Sequence, residues 1–387
     1  MNSSLRFALK GSCAVALAAV LVGCGARDGK KELAAAEAAY TTAHDLAKAD
    51  KLIAQSLKYA ADNVDALVWC TRIKLERGEL SAAREALAKA EALAAGDTDV
   101  EILGAQLAYH AKDYATASKK FAELAANAKL DAALRAEAFA GLGVVEWTCN
   151  EYDAARIAFL KAIRLDRRNA AARYHLGLVY RDGFGYTEAA LEQFEIFVRL
   201  ETTADRRVLR TQRSIIPELK ETIARQAMDR QGASQRDSSA AAAALTRAEA
   251  ARKKKDYRTA KKEYARAFAA DALSYPAALG LAEMWAKTDA SPDGKLKTLE
   301  FYRAACALKT SALKTFVTTG DLAYKIGRYA TAVEVYSRAV AANPSDITAI
   351  DGLIRSLGKV GGKKGKSNQI AAAYQGYRDF ISVPRKR

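Results

Sequence analysis

The feature that most constrains this chain is a 34-residue stretch that reads as two amphipathic helices around a short polar turn. It runs from Ala136 to Asn169, and its turn lies at Cys149–Tyr152. Helix axes approach within about 8–10 Å only where small side chains stand at the crossing, with large ones filling the gaps beside it. The small residues here are Gly143, Ala155 and Ala162, and the large ones are Phe139, Leu142 and Phe159.

The same pattern returns along most of the chain. Gly177 and Gly320 repeat the position of Gly143, and Ala332 repeats that of Ala155. The pattern resembles the tetratricopeptide repeat (TPR), a helix–turn–helix unit of about 34 residues. The resemblance implies an all-α fold, a TPR-like α-solenoid wound as a right-handed superhelix with essentially no β-structure. Abundant Ala and only 5 Pro in 387 residues also favour helices.

Three places depart from the regular period. The turn at 181–186 is one residue longer than the pattern, and a second turn, Asp289–Lys295, is enlarged. In the irregular stretch 206–235, Pro217 is expected to open a helix. The polar run Gln231–Ser239 reads as a linker. We therefore predict a first TPR array over 32–204, an irregular helix and linker over 205–239, and a second array with a basic C-terminus over 240–387.

The N-terminus reads as a targeting segment. Arg6 and Lys10 precede a short apolar run, Ala14–Val22, which is below the roughly 20 residues that span a bilayer. The run ends in Leu-Val-Gly-Cys at Cys24, which resembles the lipobox of bacterial lipoproteins. That resemblance implies a signal peptide over 1–23, lipidation of Cys24 and a tether over 24–31. The alternatives are an ordinary secretory signal and a Cys that follows a small residue by chance.

The charge is strongly positive, with a formal net charge of +16. Residues 206–262 carry 16 Lys and Arg against 6 Asp and Glu, and residues 359–387 are also basic. Such a balance suits an anionic membrane, nucleic acid or an acidic partner. Export argues against nucleic acid, which leaves lipid head groups, lipopolysaccharide, a cell-wall polymer or an acidic partner. The alternative is an ordinary solvated surface.

The sequence gives no sign of catalysis, so we expect no enzyme, no cofactor and no metal site. Cys70, Cys149 and Cys306 are isolated and form no CxxC motif, so we interpret them as small buried hydrophobic residues. His44, His110 and His175 lie in different units. The glycine- and lysine-rich run 361–367 fails as a phosphate loop, because Val360 stands where that motif needs Gly.

A binding groove is the remaining candidate site. In the TPR family, four positions of each first helix face the concave surface. At these positions the chain has Tyr109, Trp147, Tyr174 and Arg181, and aromatic and Arg side chains often anchor interfaces. The alternative is that they cover a neighbouring helix. The Lys/Asn clamp of chaperone-binding relatives is missing, since the corresponding residues are Ala140, Val144, Tyr174 and Leu178.

These observations favour a membrane-anchored lipoprotein that faces the periplasm, at the outer membrane because Gly25 rather than Asp follows Cys24. The expected function is a protein–protein interaction scaffold in cell-envelope assembly. Its expected partners are other envelope proteins or peptides. The alternative function is to bind an anionic cell-wall polymer, or a polysaccharide system component, through the basic C-terminal array.

Overall fold

The computed structural model describes residues 28–42, 45–201, 206–232, 236–361 and 365–383. The predicted signal peptide, Cys24, His44 and the first half of the predicted tether, residues 24–27, lie outside these ranges. Within them every regular element is helical and no strand occurs, so the predicted all-α fold is confirmed. None of the described helices combines the length and the apolar composition needed to cross a bilayer.

The chain divides into two compact units, Met1–His175 and Leu176–Arg387. The predicted domain boundaries stay a prediction. Helix α9 (Ala170–Leu178) crosses the division. The other helices of unit 1 are α1 (Lys30–Thr41), α2 (Leu46–Tyr59), α3 (Val64–Arg77), α4 (Leu80–Leu93), α5 (Thr98–His110), α6 (Tyr114–Ala126), α7 (Ala132–Thr148) and α8 (Tyr152–Leu165).

Unit 2 continues with helix pairs after an irregular start. Two π-helical segments, Val179–Gly183 and Thr211–Ile215, interrupt its first part. Its helices are α10 (Thr187–Leu200), α11 (Arg206–Arg210), α12 (Ile216–Gln231), α13 (Ser238–Lys253), α14 (Tyr257–Ala270), α15 (Tyr275–Thr288), α16 (Pro292–Leu308), α17 (Leu313–Lys325), α18 (Tyr329–Ala342), α19 (Ile347–Val360) and α20 (Lys366–Ser382).

Helix starts and stops recur with the repeat. The side chains of Asn63, Asp97 and Asp346 each accept a backbone N–H in the first turn of the helix that follows, which satisfies a donor that the helix itself cannot pair. Several first helices end on a residue with positive φ, a conformation that glycine adopts most easily. These residues are Gly78, Lys112, Asn150, Lys255 and Gly327.

Close packing between helices also recurs. Six alanines at equivalent positions of the second helices have no exposed surface: Ala83, Ala117, Ala155, Ala190, Ala260 and Ala332. A Cβ added to Gly143 would lie 2.7 Å from the Phe159 ring, and one added to Gly177 would lie 2.9 Å from the Phe194 ring. Gly320 stands in the same relation to Tyr336, at 2.7 Å. The small residues thus make room for aromatic rings at the helix crossings.

The structure corrects the three predicted irregularities. The extra residue near 181–186 is absorbed in the helix as a π-helical segment, since the Phe184 N–H bonds to the Val179 carbonyl. The turn after α15 is short, because Ser291 caps α16 and Pro292 occupies its first position. Pro217 lies in the first turn of α12, as predicted, but the backbone before it is already helical. It follows the second π-helical segment within continuous helical backbone, where the Ile216 N–H bonds back to Thr211.

The three described cysteines differ in burial. Cys306 is buried and Cys70 is partly buried, but Cys149 is exposed, so the prediction of burial is wrong for Cys149. The reason is its place at the end of α7, in the polar turn before α8 rather than on a packed helix face. Burial raises the pKa of all three thiols, which does not favour a nucleophilic thiolate.

Candidate functional site

The face predicted to bind a partner in unit 1 is built from successive first helices. Helix α3 packs against α5, and α5 contacts α7. Residues that recur at the same position of these helices therefore lie in rows across one face of the unit. The predicted candidates Tyr109 and Trp147 occupy one such row, in the last turns of α5 and α7.

Tyr109 is partly buried and fixed to the neighbouring first helix. Its hydroxyl lies 3.1 Å from the Thr148 Oγ1, and the Thr148 hydroxyl donates to the Val144 carbonyl at 2.9 Å. Tyr109 is therefore the donor in the first of these bonds. Burial raises the pKa of Tyr109, so its hydroxyl keeps its proton. This bond holds Tyr109 beside the turn of α7 that carries Trp147.

Trp147 and Tyr174 meet through one histidine. The ring centroids of Trp147 and His175 are 6.1 Å apart, and those of Tyr174 and His175 are 5.3 Å apart. His175 is itself buried and stacks on Phe159 at 5.7 Å. Trp147 is only partly buried, whereas 8% of Tyr174 is exposed. Tyr174 therefore serves mainly in packing, and its role in binding stays a prediction.

Arg181, in unit 2, lies in the π-helical segment after α9. Its guanidinium bonds to both carboxylate oxygens of Asp182, at 2.6 Å and 3.0 Å. It also lies 6.0 Å from the centroid of the Phe194 ring. These contacts hold its charge beside a carboxylate, so a partner would meet an ion pair at this position rather than an isolated cation.

Sequence reasoning missed a charged cluster on the same face of unit 1. Arg72 and Gln106 are nine-tenths or more buried, and the Arg72 guanidinium lies 4.5 Å from the Trp69 ring centroid. The Glu137 side chain is partly exposed but its Oε1 is buried. Burial raises the pKa of Glu137 to about 8, against the opposing charge of Arg72. Asp99 lies in the same field, and burial raises its pKa.

These polar and charged residues could have been found from the sequence. Arg72 and Gln106 share one position of their first helices, and Asp99 and Glu137 share another, both on the face already predicted to be concave. An aromatic ring is the property that selects Tyr109 and Trp147, and none of these four residues has one. The burial of Arg72 and of the Glu137 Oε1 is a property of the packed helices, and no single residue pattern signals it.

Unit 2 has a corresponding cavity of about 460 Å³ on its first helices. Ala286 and Tyr324, which share the position of Tyr109 and Trp147, both line it, together with Tyr302 and Asp321. Arg355 lies over the Tyr324 ring at 5.5 Å and 3.6 Å from the Asp321 carboxylate. The cavity thus offers aromatic surface beside an exposed ion pair, which suits a polar peptide side chain.

A second cavity in unit 2, of about 470 Å³, lies among α10, α12 and the helices α16–α18. Glu188 and Glu192 line it on one side and Arg230 and Arg338 contribute the opposite charge, with Phe316 as an apolar contact. Its charges nearly balance. The described residues contain no group of three or more His, Cys, Asp or Glu placed to hold a metal ion.

The periodic alanines, the glycine–aromatic contacts and the recurring left-handed turns decide the fold. The chain is a TPR-like α-solenoid. No protein-family model matches the sequence, and no curated protein matches it either. Similar solved structures exist. A thermophilic TPR protein of Thermus thermophilus is 16% identical, with 50% of this chain and 99% of that chain covered and a TM-score of 0.43.

Two further structures are similar. PilF of Pseudomonas aeruginosa is 15% identical, covering 67% of this chain and 98% of its own, with a TM-score of 0.37. The Cut9–Hcn1 tetramer of the APC/C gives 14% identity, 94% and 81% coverage and a TM-score of 0.34. At such identities the similarity concerns the TPR fold alone.

Proposed function

We propose that this TPR solenoid is a protein–protein interaction scaffold in cell-envelope assembly and has no enzymatic activity. It is exported, lipidated at Cys24 and tethered to a bacterial membrane, in our proposal the outer membrane, facing the periplasm. Its partners are other envelope proteins or peptides. They bind the first-helix face of unit 1, with Tyr109 and Trp147 as anchors.

One observation carries the binding part of this proposal. Two aromatic side chains, Tyr109 and Trp147, stand in one row on adjacent helices, and neither is fully buried. The Tyr109–Thr148 bond fixes one of them in place, so binding would order little that is not already ordered. Large aromatic side chains with a polar end are the usual anchors of interfaces. The lipobox resemblance around Cys24 supports the membrane anchor.

The binding face is tested with a photo-crosslinking residue placed at position 147 in cells that produce the chain. Tyr59 provides a matched control, because it is an aromatic residue 41% exposed at the end of a second helix. We expect a discrete crosslinked partner from position 147 and none from position 59. The same crosslinking residue at the neighbouring exposed position 149 should capture that partner from the parent chain but not from a Trp147→Ala chain. An unchanged set of partners after Trp147→Ala would remove the groove from the proposal.

The anchor is tested separately. Cells that produce the chain or its Cys24→Ala variant are grown with a labelled fatty acid and then fractionated. We expect label on the parent chain in the membrane fraction, and no label on the variant. Equal labelling of both chains, or none of either, would refute lipidation at Cys24. This outcome does not depend on the groove.

The second candidate function is binding of an anionic cell-wall polymer or polysaccharide through the basic second array. The observation that favours it is the excess of Lys and Arg in that part of the chain. The two candidates differ in their response to salt. Attraction between exposed charges weakens as the Debye length shrinks, whereas a buried aromatic contact is largely indifferent to salt. A partner lost at moderate salt favours the polymer.

A further inference from the structure

In unit 2, the turns that follow each first helix share one edge. Helices α13 to α20 pack against each other in chain order, and neighbours joined by short turns run antiparallel. The first helices therefore all point the same way, and their C-terminal ends lie side by side. We name this side the basic edge and define it as residues 252–258, 287–297, 325–328, 359–361 and 365–366.

Basic side chains are exposed at every turn of the basic edge. Arg252–Lys255 is an unbroken run of exposed basic residues, and each later turn adds further lysines or arginines. Two of the acids there are engaged by the turns themselves. The Asp256 carboxylate accepts the Thr259 N–H at 3.0 Å, and Asp289 accepts the Ser291 N–H. Two of the edge's cations are paired with acids of their own helices, Arg252 with Glu249 at 2.6 Å and Lys297 with Glu300 at 2.9 Å. The cations of the edge still outnumber its acids.

The opposite edge of the same helices has mixed charge. Its turns are residues 271–274, 309–312 and 343–346. Asp271 pairs there with Arg236 at 2.9 Å, and Asp346 caps α19. Lys309 lies 5.2 Å from the Tyr275 ring centroid. The positive charge of these helices is thus concentrated on one side. A positive net charge alone would not require that distribution.

Two lysines of the basic edge have distinctive positions. Lys255 has φ 62°, at the turn position where Gly78 and Gly327 stand in other repeats, and a residue with a Cβ is less stable there than glycine. Lys112 also occupies this position, but only Lys255 belongs to an unbroken basic run. The Lys287 ammonium lies 4.5 Å from the Tyr257 ring centroid, which holds a lysine of the second turn against the first.

The basic edge also exposes two large apolar side chains. Leu296 is 40% exposed and stands between Lys295 and Lys297, and Val360 is 47% exposed next to Lys359. A soluble polyanion gains nothing from an exposed aliphatic side chain. A bilayer surface does, because the aliphatic group enters the boundary between head groups and acyl chains while the lysines contact phosphates.

We propose that the basic edge docks on the anionic surface of a lipid bilayer. Its lysines and arginines contact phosphate head groups, and Leu296 and Val360 reach into the boundary below them. The proposal rests on the proposed function only in placing the chain beside an envelope membrane. It requires neither the aromatic face of unit 1 nor the fatty acid on Cys24.

The test measures binding to vesicles by co-flotation, using the chain from residue 25 onward, which contains every described helix. Vesicles of phosphatidylglycerol and phosphatidylcholine in equal parts are compared with vesicles of phosphatidylcholine alone. We expect binding to the former only. The double variant Lys254→Gln/Lys255→Gln should bind about thirtyfold more weakly, since each charge near an anionic surface contributes a factor of about five.

A matched control separates the edge from net charge. Lys309→Gln/Lys314→Gln removes the same charge from exposed positions on the opposite side of the same helices. It should bind nearly as well as the parent chain. Equal loss in the two double variants would overturn the proposal, because net charge alone would then explain binding.

Leu296→Ala separates a bilayer from a polymer, because it removes apolar surface and no charge. We expect it to weaken vesicle binding severalfold and to leave binding to soluble polyglutamate unchanged. Undiminished vesicle binding by Leu296→Ala would overturn bilayer docking and assign the edge to a polymer. Trp147→Ala should bind vesicles like the parent, so loss of partners and loss of docking are distinguishable.

Discussion

Two glycines of α19 should respond in opposite directions to the same substitution. Tyr336, on α18, is completely buried, and its ring lies between Gly320 of α17 and Gly352 of α19. A Cβ added at Gly352 would overlap that ring, far inside the roughly 3.5–4 Å at which carbon atoms normally touch. Gly358, six residues later in the same helix, is exposed and has nothing within 4 Å of such a Cβ.

Tyr336 cannot withdraw from a new methyl group at position 352. On its other side a Cβ at Gly320 would lie only 2.7 Å from the ring, and its hydroxyl donates to the Asp321 carboxylate. Overpacking of this kind costs about 1–3 kcal/mol, against a gain of about 0.5–1 kcal/mol from replacing a helical glycine by alanine. Gly352→Ala should therefore lower the free energy of unfolding by about 0.5–2 kcal/mol. Gly358→Ala should raise it by about 0.5–1 kcal/mol.

The assay must report on this part of the solenoid. Each repeat contacts only its neighbours, so different parts of the array can unfold in separate transitions. Hydrogen exchange of the α17–α20 amides in the native state meets that need. Exchange should be faster in Gly352→Ala and slower in Gly358→Ala than in the parent chain. If Gly352→Ala protects these amides as well as Gly358→Ala does, the close packing of the Tyr336 ring against Gly352 is refuted.

Three further substitutions extend the same reasoning. Ala155→Leu should lower the unfolding free energy of unit 1 by about 1–3 kcal/mol, because Ala155 has no exposed surface; denaturant unfolding that is unchanged would contradict this. With a folded-state pKa of about 8 against an ordinary value of 4.5, Glu137 keeps its proton where the unfolded chain has lost it, so its contribution to stability falls as pH rises from 4.5 to 8. Glu137→Gln should flatten that pH dependence in thermal melts. An unchanged slope would mean that another group causes the pH dependence. Lys255→Gly should raise stability by up to about 1 kcal/mol in the same melts by relieving the positive φ, and a clear loss would show that Lys255 is not strained.

The sequence predicts the fold well because the solenoid is built from local contacts. A pair such as Gly143 and Phe159 lies within one repeat, so a period of small and large residues is enough to place both. The irregular places were harder to predict. An extra residue near 181–186 can lengthen a turn or enter a helix as a π-helical segment, and the sequence pattern does not distinguish the two. The hydrogen bond from Phe184 to Val179 does.

The site was predictable only in part, for a similar reason. Helical position places Tyr109 and Trp147 in one row, but whether a residue in such a row is open depends on the neighbouring repeat. Tyr174 shares the predicted face and is nonetheless covered, packing edge-on against His175. Arg72 and Glu137 show the converse, since Arg72 and the Glu137 Oε1 are buried on this face and interact with each other although they lie on different repeats.

The residues that stabilise the fold and those proposed to bind overlap only in part, since Tyr109 packs against the core around Phe121 whereas the residues of the basic edge are exposed. The fold depends on fully buried small and aromatic residues such as Ala155 and Tyr336. The proposed contacts are partly or largely exposed, and one of them, Lys255, occupies a backbone conformation that favours glycine. A residue that costs stability and faces solvent gains nothing from packing. Because Lys112 and Asn150 have the same positive φ outside the basic edge, this conformation is not specific to the edge, and the docking proposal depends on the exposed charge there and on Leu296 and Val360.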